Sequence, residues 1–254
     1  MSNEFVNKKA CVTGASRGIG AATAVALARS GVQQVVIHYH SHRKGAEQTL
    51  AAVREAGADG VLVCADLTTS CGIHCLIQEL DKNCQGLDIL INNAGALIQR
   101  APLLDYPEEL FDRVMTLNAK SVWFLTKAVV PHMLRNSGGV IVNVTSIAAR
   151  TGGSIGAVVY AAAKAAVSAM TKGMARELAP KGIRVNAISP GTVDNHFHEA
   201  FSNRKMLDSV VAATPAGRLG TDEDMADAII FLCSQASRYI HGQTIELNGG
   251  FYMV

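Results

Sequence analysis

The chain of 254 residues is 49% hydrophobic and 17% charged, with 23 glycines against 6 prolines. Such a balance belongs to a packed globular chain and excludes disordered, collagenous and coiled-coil classes. A formal net charge of +2 is too even for a protein built around nucleic acid.

The opening MSNEFVNKKA lacks the apolar stretch of a secretory leader. No uncharged run approaches the roughly 18–20 residues of a spanning helix, so a cytoplasmic location without a membrane is expected. Cys11, Cys64, Cys71, Cys75, Cys84 and Cys233 form no CxxC pair and read as reduced thiols. Cys71, His74 and Cys75 are metal-ligating types, but no second ligand pair follows downstream, so no metal is expected.

In chain order, β-branched runs fall at 9–13, 34–39, 60–64, 88–92, 140–144, 184–188 and 244–247. They alternate with stretches of helical period near 18–30, 44–57, 68–82, 106–135, 157–179 and 222–234. Runs such as VIVNV and DILIN are apolar nearly throughout, which suits parallel strands covered by helices on both faces. The expected fold is α/β: one doubly wound domain over residues 1–254, a seven-stranded parallel sheet with helices on both faces. Only at 192–215 does the alternation lapse.

After the first strand comes Thr13-Gly14-Ala15-Ser16-Arg17-Gly18-Ile19-Gly20, opening into AATAVALARS. Glycines here let the backbone turn sharply and approach a pyrophosphate, while the helix N-terminus offers N–H groups and positive potential. The loop lacks the Gly-Lys-Ser/Thr ending of a P-loop, and its spacing differs from Gly-x-Gly-x-x-Gly. A merely glycine-rich turn is the plainer alternative, which the strand–turn–helix context argues against. Gly14, Ser16, Arg17, Gly18, Ile19 and Gly20 are therefore candidate cofactor contacts.

At the end of the second strand an acid would bind the ribose 2′-hydroxyl of NAD. No Asp or Glu occurs between Ala21 and Ala46; instead the chain reads His40, Ser41, His42, Arg43, Lys44. Cations beside a hydroxyl suit the 2′-phosphate of NADP, so NADP(H) is expected over NAD(H), with His40, Ser41, Arg43 and Arg17 as its readers. A solvated basic loop is the alternative. His38, His40 and His42 alternate along this strand, but Arg43 and Lys44 would repel a metal cation.

Tyr160 and Lys164 stand four residues apart in a helical stretch and share a face. A tyrosine of pKa about 10 is a poor acid–base catalyst at neutral pH unless a neighbouring cation stabilises its anion. Ser146 ends the VIVNV strand, where an α/β sheet presents its carboxyl end to ligand. Its hydroxyl suits a substrate carbonyl, or equally a turn.

These motifs, with Asn92-Asn93-Ala94-Gly95, Asn118 and Pro190-Gly191 in the same order, resemble the short-chain dehydrogenase/reductase family over nearly the whole chain. The resemblance implies a single Rossmann-type domain. It implies Tyr160 as general acid or base, Lys164 as the group that lowers its pKa and binds ribose, Ser146 as carbonyl orienter and Asn118 as holder of a relay water. Asp66 and Leu67 would meet the adenine, Asn93, Ala94 and Gly95 would lie beside the cofactor, and Pro190, Gly191 and Val193 would border the nicotinamide. Asn92 would stabilise the central sheet. A homotetramer is implied, joined through 106–135, 157–179 and the last strand. Where the family often carries threonine, this chain has Asn195, and the interval from Ser146 to Tyr160 is one residue longer than in many relatives.

Within the family, PAGRLGTDEDMADAIIFLCS and GQTIELNGG resemble 3-oxoacyl-(acyl-carrier-protein) reductases. An acyl thioester substrate and docking of the acidic acyl carrier protein through Arg135 and Lys181 near the pocket mouth are then expected. A sugar, polyol, steroid or small ketone is the alternative, as is a non-catalytic NADP sensor. An extended-family epimerase would need a larger C-terminal domain. Segment 192–215 is expected as a substrate lid, with His196 and His198 solvated.

Overall fold

A computed structural model describes residues 3–84, 86–196 and 204–254. Its strands are β1 (Lys9–Val12), β2 (Gln34–Tyr39), β3 (Asp59–Cys64), β4 (Ile89–Asn92), β5 (Gly139–Val144), β6 (Ile183–Pro190) and β7 (Thr244–Leu247). All pair in parallel, in the order β3-β2-β1-β4-β5-β6-β7. The strand order reverses between β1 and β4, so the ligand crevice of such a sheet opens at their carboxyl ends.

The helices are α1 (Gly18–Arg29), α2 (Arg43–Glu55), α3 (Ser70–Asn83), α4 (Glu108–Met115), α5 (Ser121–Arg135), α6 (Ala148–Thr151), α7 (Val158–Leu178), α8 (Arg204–Ala213) and α9 (Asp222–Cys233). Strand side chains alternate between two apolar layers, as the pleat dictates. Ala10, Val12, Val35 and Ile37 pack with Leu27, Val53 and Ile229 of α1, α2 and α9. Cys11, Val36, Leu90 and Ile141 pack with Leu76, Leu125 and Leu178 of α3, α5 and α7. Each fully buried aliphatic side chain contributes about 1.5–3 kcal/mol, so both layers are needed to hold the sheet. Among the described residues, no helix is long and apolar enough to cross a membrane.

A buried polar ladder ties the sheet to the helix that carries Tyr160. The Asn92 amide donates to Asn143 Oδ1 at 2.9 Å and to Thr126 Oγ1 at 3.3 Å, and Asn143 Nδ2 donates to Thr171 Oγ1 at 2.9 Å. Because an unmade bond there would leave a buried amide unsatisfied, the ladder sets the register of α7 against β4 and β5.

Three features depart from the sequence reading. The stretch 106–135 is not one regular helix, because Thr116–Lys120 forms a π turn between α4 and α5. Helix α8 lies inside 192–215, where no regular element was expected. Arg135 and Lys181 are exposed but immediately precede β5 and β6, so they lie at the amino edge of the sheet, away from the pocket mouth. Ser146 lies just past the other end of β5, and a six-residue strand spans about 20 Å.

Candidate active site

The glycine loop is built by hydrogen bonds between β1 and the β4 exit. Thr13 Oγ1 accepts from the main-chain N–H groups of Asn93 and Ala94, both at 2.9 Å, and Asn93 Nδ2 donates to the Thr13 carbonyl at 2.8 Å. A Cβ on Gly20 would strike the Gly14 carbonyl and the Asn93 amide, so only glycine lets α1 start this close to the loop. No side chain caps α1: Arg17, at its N-cap, is exposed and makes no cap bond. The first N–H groups of α1 therefore remain available to an anion.

Beneath the loop lies His38, which is buried. Its Nδ1 accepts from the Gly14 N–H at 3.0 Å, and its Nε2 meets the Ala65 carbonyl at 3.1 Å. Accepting at Nδ1 and donating at Nε2 is the pattern of a neutral ring. Burial drives its pKa down to about 4, outweighing the Ala65 bond. His38 is thus a prop for the glycine loop. The clue in the sequence was a histidine interrupting the apolar part of QVVIHY.

At the end of β2, His40, Ser41 and Arg43 are exposed as expected, but two of them have acidic neighbours. Arg43 Nε donates to Glu47 Oε1 at 2.8 Å, and His40 Nε2 lies 3.8 Å from Asp66 Oδ2. Asp66 Oδ1 accepts from the Thr68 N–H and hydroxyl at 2.9 and 2.7 Å, forming the turn into α3. The Leu67 side chain is buried in the core, which leaves only its main chain for a ligand. Cys71, His74 and Cys75 are exposed along α3.

At the carboxyl ends of β4 and β5 four residues meet. Ser146 follows β5, its Oγ accepting from the Ala148 N–H at 3.1 Å, and its hydroxyl also bonds Tyr160 on α7. The Ile147 N–H donates to the Pro190 carbonyl at 2.9 Å, fixing this turn to the end of β6. Beside the tyrosine, Lys164 is buried, with Nζ 5.8 Å from the ring centroid and 2.8 Å from the Val144 carbonyl it donates to.

Burial pushes the Tyr160 phenol up to about 12, against the opposing pull of the Ser146 hydrogen bond. The same burial lowers the Lys164 ammonium to about 8. Desolvation is thus the largest influence on the phenol.

Asn118 sits in the π turn and is fully buried. Its Nδ2 donates to the carbonyls of Ala96 and Val114, both at 2.9 Å, and its Oδ1 accepts from the Ala96 N–H at 3.1 Å. Next to it, a Cβ on Gly95 would lie 2.7 Å from Asn118 Oδ1 and 2.8 Å from Lys164 Nζ. Tyr160, with Ile98, Tyr106 and Val159, packs against an apolar cluster of Ala101, Leu110 and Val114. Arg100, between Ile98 and Ala101 of that cluster, donates to Ser154 Oγ at 2.7 Å and the Ile155 carbonyl at 3.0 Å.

On the β6 side, the Gly191 N–H donates to the Leu247 carbonyl at 2.9 Å, and buried Val193 bridges to Gly220. Asn195 Nδ2 donates to Asp222 Oδ1 at 2.7 Å, an anchor to the start of α9. His196 is not solvated as expected: it is half-buried, with its ring against Gly18 of the glycine loop. Phe197, His198 and Phe201 lie outside the described residues.

The family profile described as Enoyl-(Acyl carrier protein) reductase matches residues 14–252. The chain is 36% identical to the 3-oxoacyl-[acyl-carrier-protein] reductase FabG of Staphylococcus aureus over 248 residues, 98% of this chain and 99% of that one. An NADH-dependent reductase A1-R′ responsible for alginate metabolism superposes with a TM-score of 0.89 at 36% identity, covering 100% of both chains. A gluconate 5-dehydrogenase from Burkholderia cenocepacia, solved with NADP and tartrate, gives 0.88 at 31% identity over 98% of this chain and 97% of that one. A parallel sheet in the order β3-β2-β1-β4-β5-β6-β7, an uncapped glycine loop and a serine–tyrosine–lysine cluster at its carboxyl edge all agree with these likenesses, and the chain belongs to the short-chain dehydrogenase/reductase family.

Proposed function

We propose that the protein is an NADP(H)-dependent oxidoreductase that interconverts a carbonyl and a secondary alcohol, with a 3-oxoacyl thioester on acyl carrier protein as its substrate. The observation that carries this reading is the convergence of Ser146, Tyr160 and Lys164 beside Gly95 and Asn118.

The bound nicotinamide supplies the hydride. Ser146 donates a hydrogen bond to the carbonyl oxygen and positions it. Tyr160, protonated at neutral pH, gives its proton to the same oxygen as charge develops there. Lys164, held on the Val144 carbonyl, stabilises the tyrosinate left behind, a charge pairing favoured in a site this dry. The Asn118 side chain is committed to main-chain partners, so a relay water would rest on a carbonyl loosened by the π turn.

The residues present fit a dinucleotide. The uncapped start of α1, with Gly14, Ser16, Gly18, Ile19 and Gly20, would take the pyrophosphate. Asn93, Ala94 and Gly95 would line the cofactor's middle, Pro190, Gly191 and Val193 the nicotinamide, and Asp66 with the Leu67 main chain the adenine. Arg17, His40, Ser41 and Arg43 would read the 2′-phosphate, with Arg43 weakened by its tie to Glu47. NAD(H) is the second cofactor to test, since the A1-R′ reductase is NADH-dependent. A cytoplasmic homotetramer is part of the proposal, supported by the exposed Phe111, Trp123 and Val158 on α4, α5 and α7.

A sugar-acid substrate is the second reading. It is favoured by the Arg100 guanidinium beside the Tyr160 cluster, a group suited to a carboxylate, and by the gluconate 5-dehydrogenase relative. NADPH oxidation by purified protein against 3-oxoacyl thioesters, keto-sugar acids and cyclic ketones, with NADH in parallel, separates the two. Turnover of thioesters supports the first; turnover of keto acids alone replaces it with the second. Dinucleotide binding without turnover of any carbonyl refutes both.

A further inference from the structure

His196 lies on the segment that leaves β6 and crosses the glycine loop. A Cβ placed on Gly18 would come within 2.9 Å of its Cε1 and 3.3 Å of its Nδ1, so the ring rests against the backbone at the start of α1. Two ties hold it there: the Val193–Gly220 bridge, in which the Asp194 N–H donates to the Gly220 carbonyl at 2.8 Å and the Gly220 N–H to the Thr192 carbonyl at 3.0 Å, and the bond from Asn195 to Asp222.

Among the described residues, Arg17 from the glycine loop and His42 from the β2–α2 connection are the charged or titratable groups whose fields reach the ring. Asp194 shares its segment, and Asp222 is engaged by Asn195. A Cβ on Gly45 would meet both the His42 ring and the Ser16 carbonyl, so His42 rests against Gly45 beside the loop. The loop is therefore bordered by three basic side chains, one of them brought from the far side of the sheet.

We propose that the His196 imidazole is a pyrophosphate ligand of the dinucleotide and takes up a proton as the cofactor binds. The proposal rests on the cofactor reading above. Gly18 stands at the helix entry, where a pyrophosphate sits, whereas the 2′-phosphate end lies by Ser41 and Arg43. His196 thus acts on the part of the molecule that NADP(H) and NAD(H) share.

Without an anion, burial, Arg17 and His42 hold the ring's pKa down to about 4, so it is neutral at pH 7. Phosphate oxygens at the same place reverse the repulsion and favour the imidazolium. The bound protein then has the higher pKa and binds more protons than the free one between the two values. Affinity is highest at low pH and falls as pH rises through the bound-state pKa, by at most about tenfold per pH unit for one proton.

The test is calorimetric titration of NADPH and of NADH into wild type, His196→Gln and His42→Gln between about pH 5.5 and 8, in buffers of different ionisation heat. The expected result is proton uptake by wild type with both cofactors and a Kd that weakens about three- to tenfold per unit of rising pH. His196→Gln, with an unchanged melting temperature, loses both effects for both cofactors, while His42→Gln keeps them. Uptake that survives His196→Gln, or an effect confined to NADPH, overturns the proposal, as does a pH-independent wild-type Kd or an affinity loss equal at every pH. Wild type that binds neither dinucleotide overturns the cofactor reading itself.

Discussion

Replacing Tyr160 by Phe removes one hydroxyl and little else. The ring packs against the cluster of Ala101, Leu110 and Val114, contacts that phenylalanine keeps. The lost interaction is the bond to Ser146, a neutral pair whose net contribution is about 0.5–1.5 kcal/mol. With the phenol's pKa at about 12, no charge is removed at pH 7. Folding stability should therefore change by about 1 kcal/mol, and NADPH affinity by less than about threefold. Turnover should fall by about 10²–10⁴, the contribution of a positioned general acid, or about 3–5.5 kcal/mol in the barrier. Stopped-flow NADPH oxidation with a 3-oxoacyl thioester, alongside cofactor fluorescence titration and thermal melts, measures all three. Turnover within about tenfold of wild type, with binding unchanged, would refute the assignment of the acid.

Gly95→Ala places a methyl 2.7 Å from Oδ1 of Asn118, whose side-chain amide three main-chain bonds hold in place. The Lys164 tip must give way, and kcat should drop about 10- to 100-fold with a small change in melting temperature, as a kinetic and calorimetric comparison would show. Arg17→Ala with Arg43→Ala should weaken NADPH binding about 10- to 100-fold and leave NADH nearly unchanged, most of the loss tracing to Arg17 because Arg43 already serves Glu47. Equal losses for both cofactors would show that the pair does not read a 2′-phosphate. His38, with its folded pKa of about 4 below the unfolded 6.5, binds fewer protons folded than unfolded between those values. Stability then rises with pH across that window, and about 3 kcal/mol is lost on acidification from neutral to about pH 4. Urea midpoints of His38→Gln should show a shallower acid limb than wild type; an identical limb would mean that the ring titrates normally.

The sheet was legible because its strands are buried on both faces and so read as short apolar runs, VIVNV and QVVIHY among them. Tyr160, Lys164 and Ser146 were legible through helical spacing and strand-end position. Less visible was anything decided by what crosses a strand end from elsewhere. Nothing in TLNAK marks a π turn, nor that its Asn118 bonds Ala96 on another loop. Arg135 and Lys181 were misplaced, although the signal was present: a residue just before a parallel strand lies at the amino edge, opposite the ligand crevice. His196 read as a solvated loop residue because nothing local predicts that its segment is tied to Gly220 and Asp222.

Those long-range ties also explain why the lysine on α7 is more than half of a helical pair. Its ammonium bonds the last carbonyl of β5, two residues before Ser146, so the same bond that orients Lys164 fixes the helix to the strand presenting the serine. The Asn92–Asn143–Thr171 ladder repeats the connection deeper in the sheet. Burial then separates the two titrating groups, the phenol at about 12 and the ammonium at about 8, where their unperturbed values nearly coincide. Both shifts have one direction in common: each opposes charge. A site that disfavours an isolated tyrosinate and an isolated ammonium still accommodates the two together, because at short range in low dielectric their attraction offsets the desolvation each would suffer alone. Under the proposed function, the pair would meet the anion at the moment proton transfer creates it, and a side chain on Gly95 would crowd Asn118 Oδ1 and Lys164 Nζ.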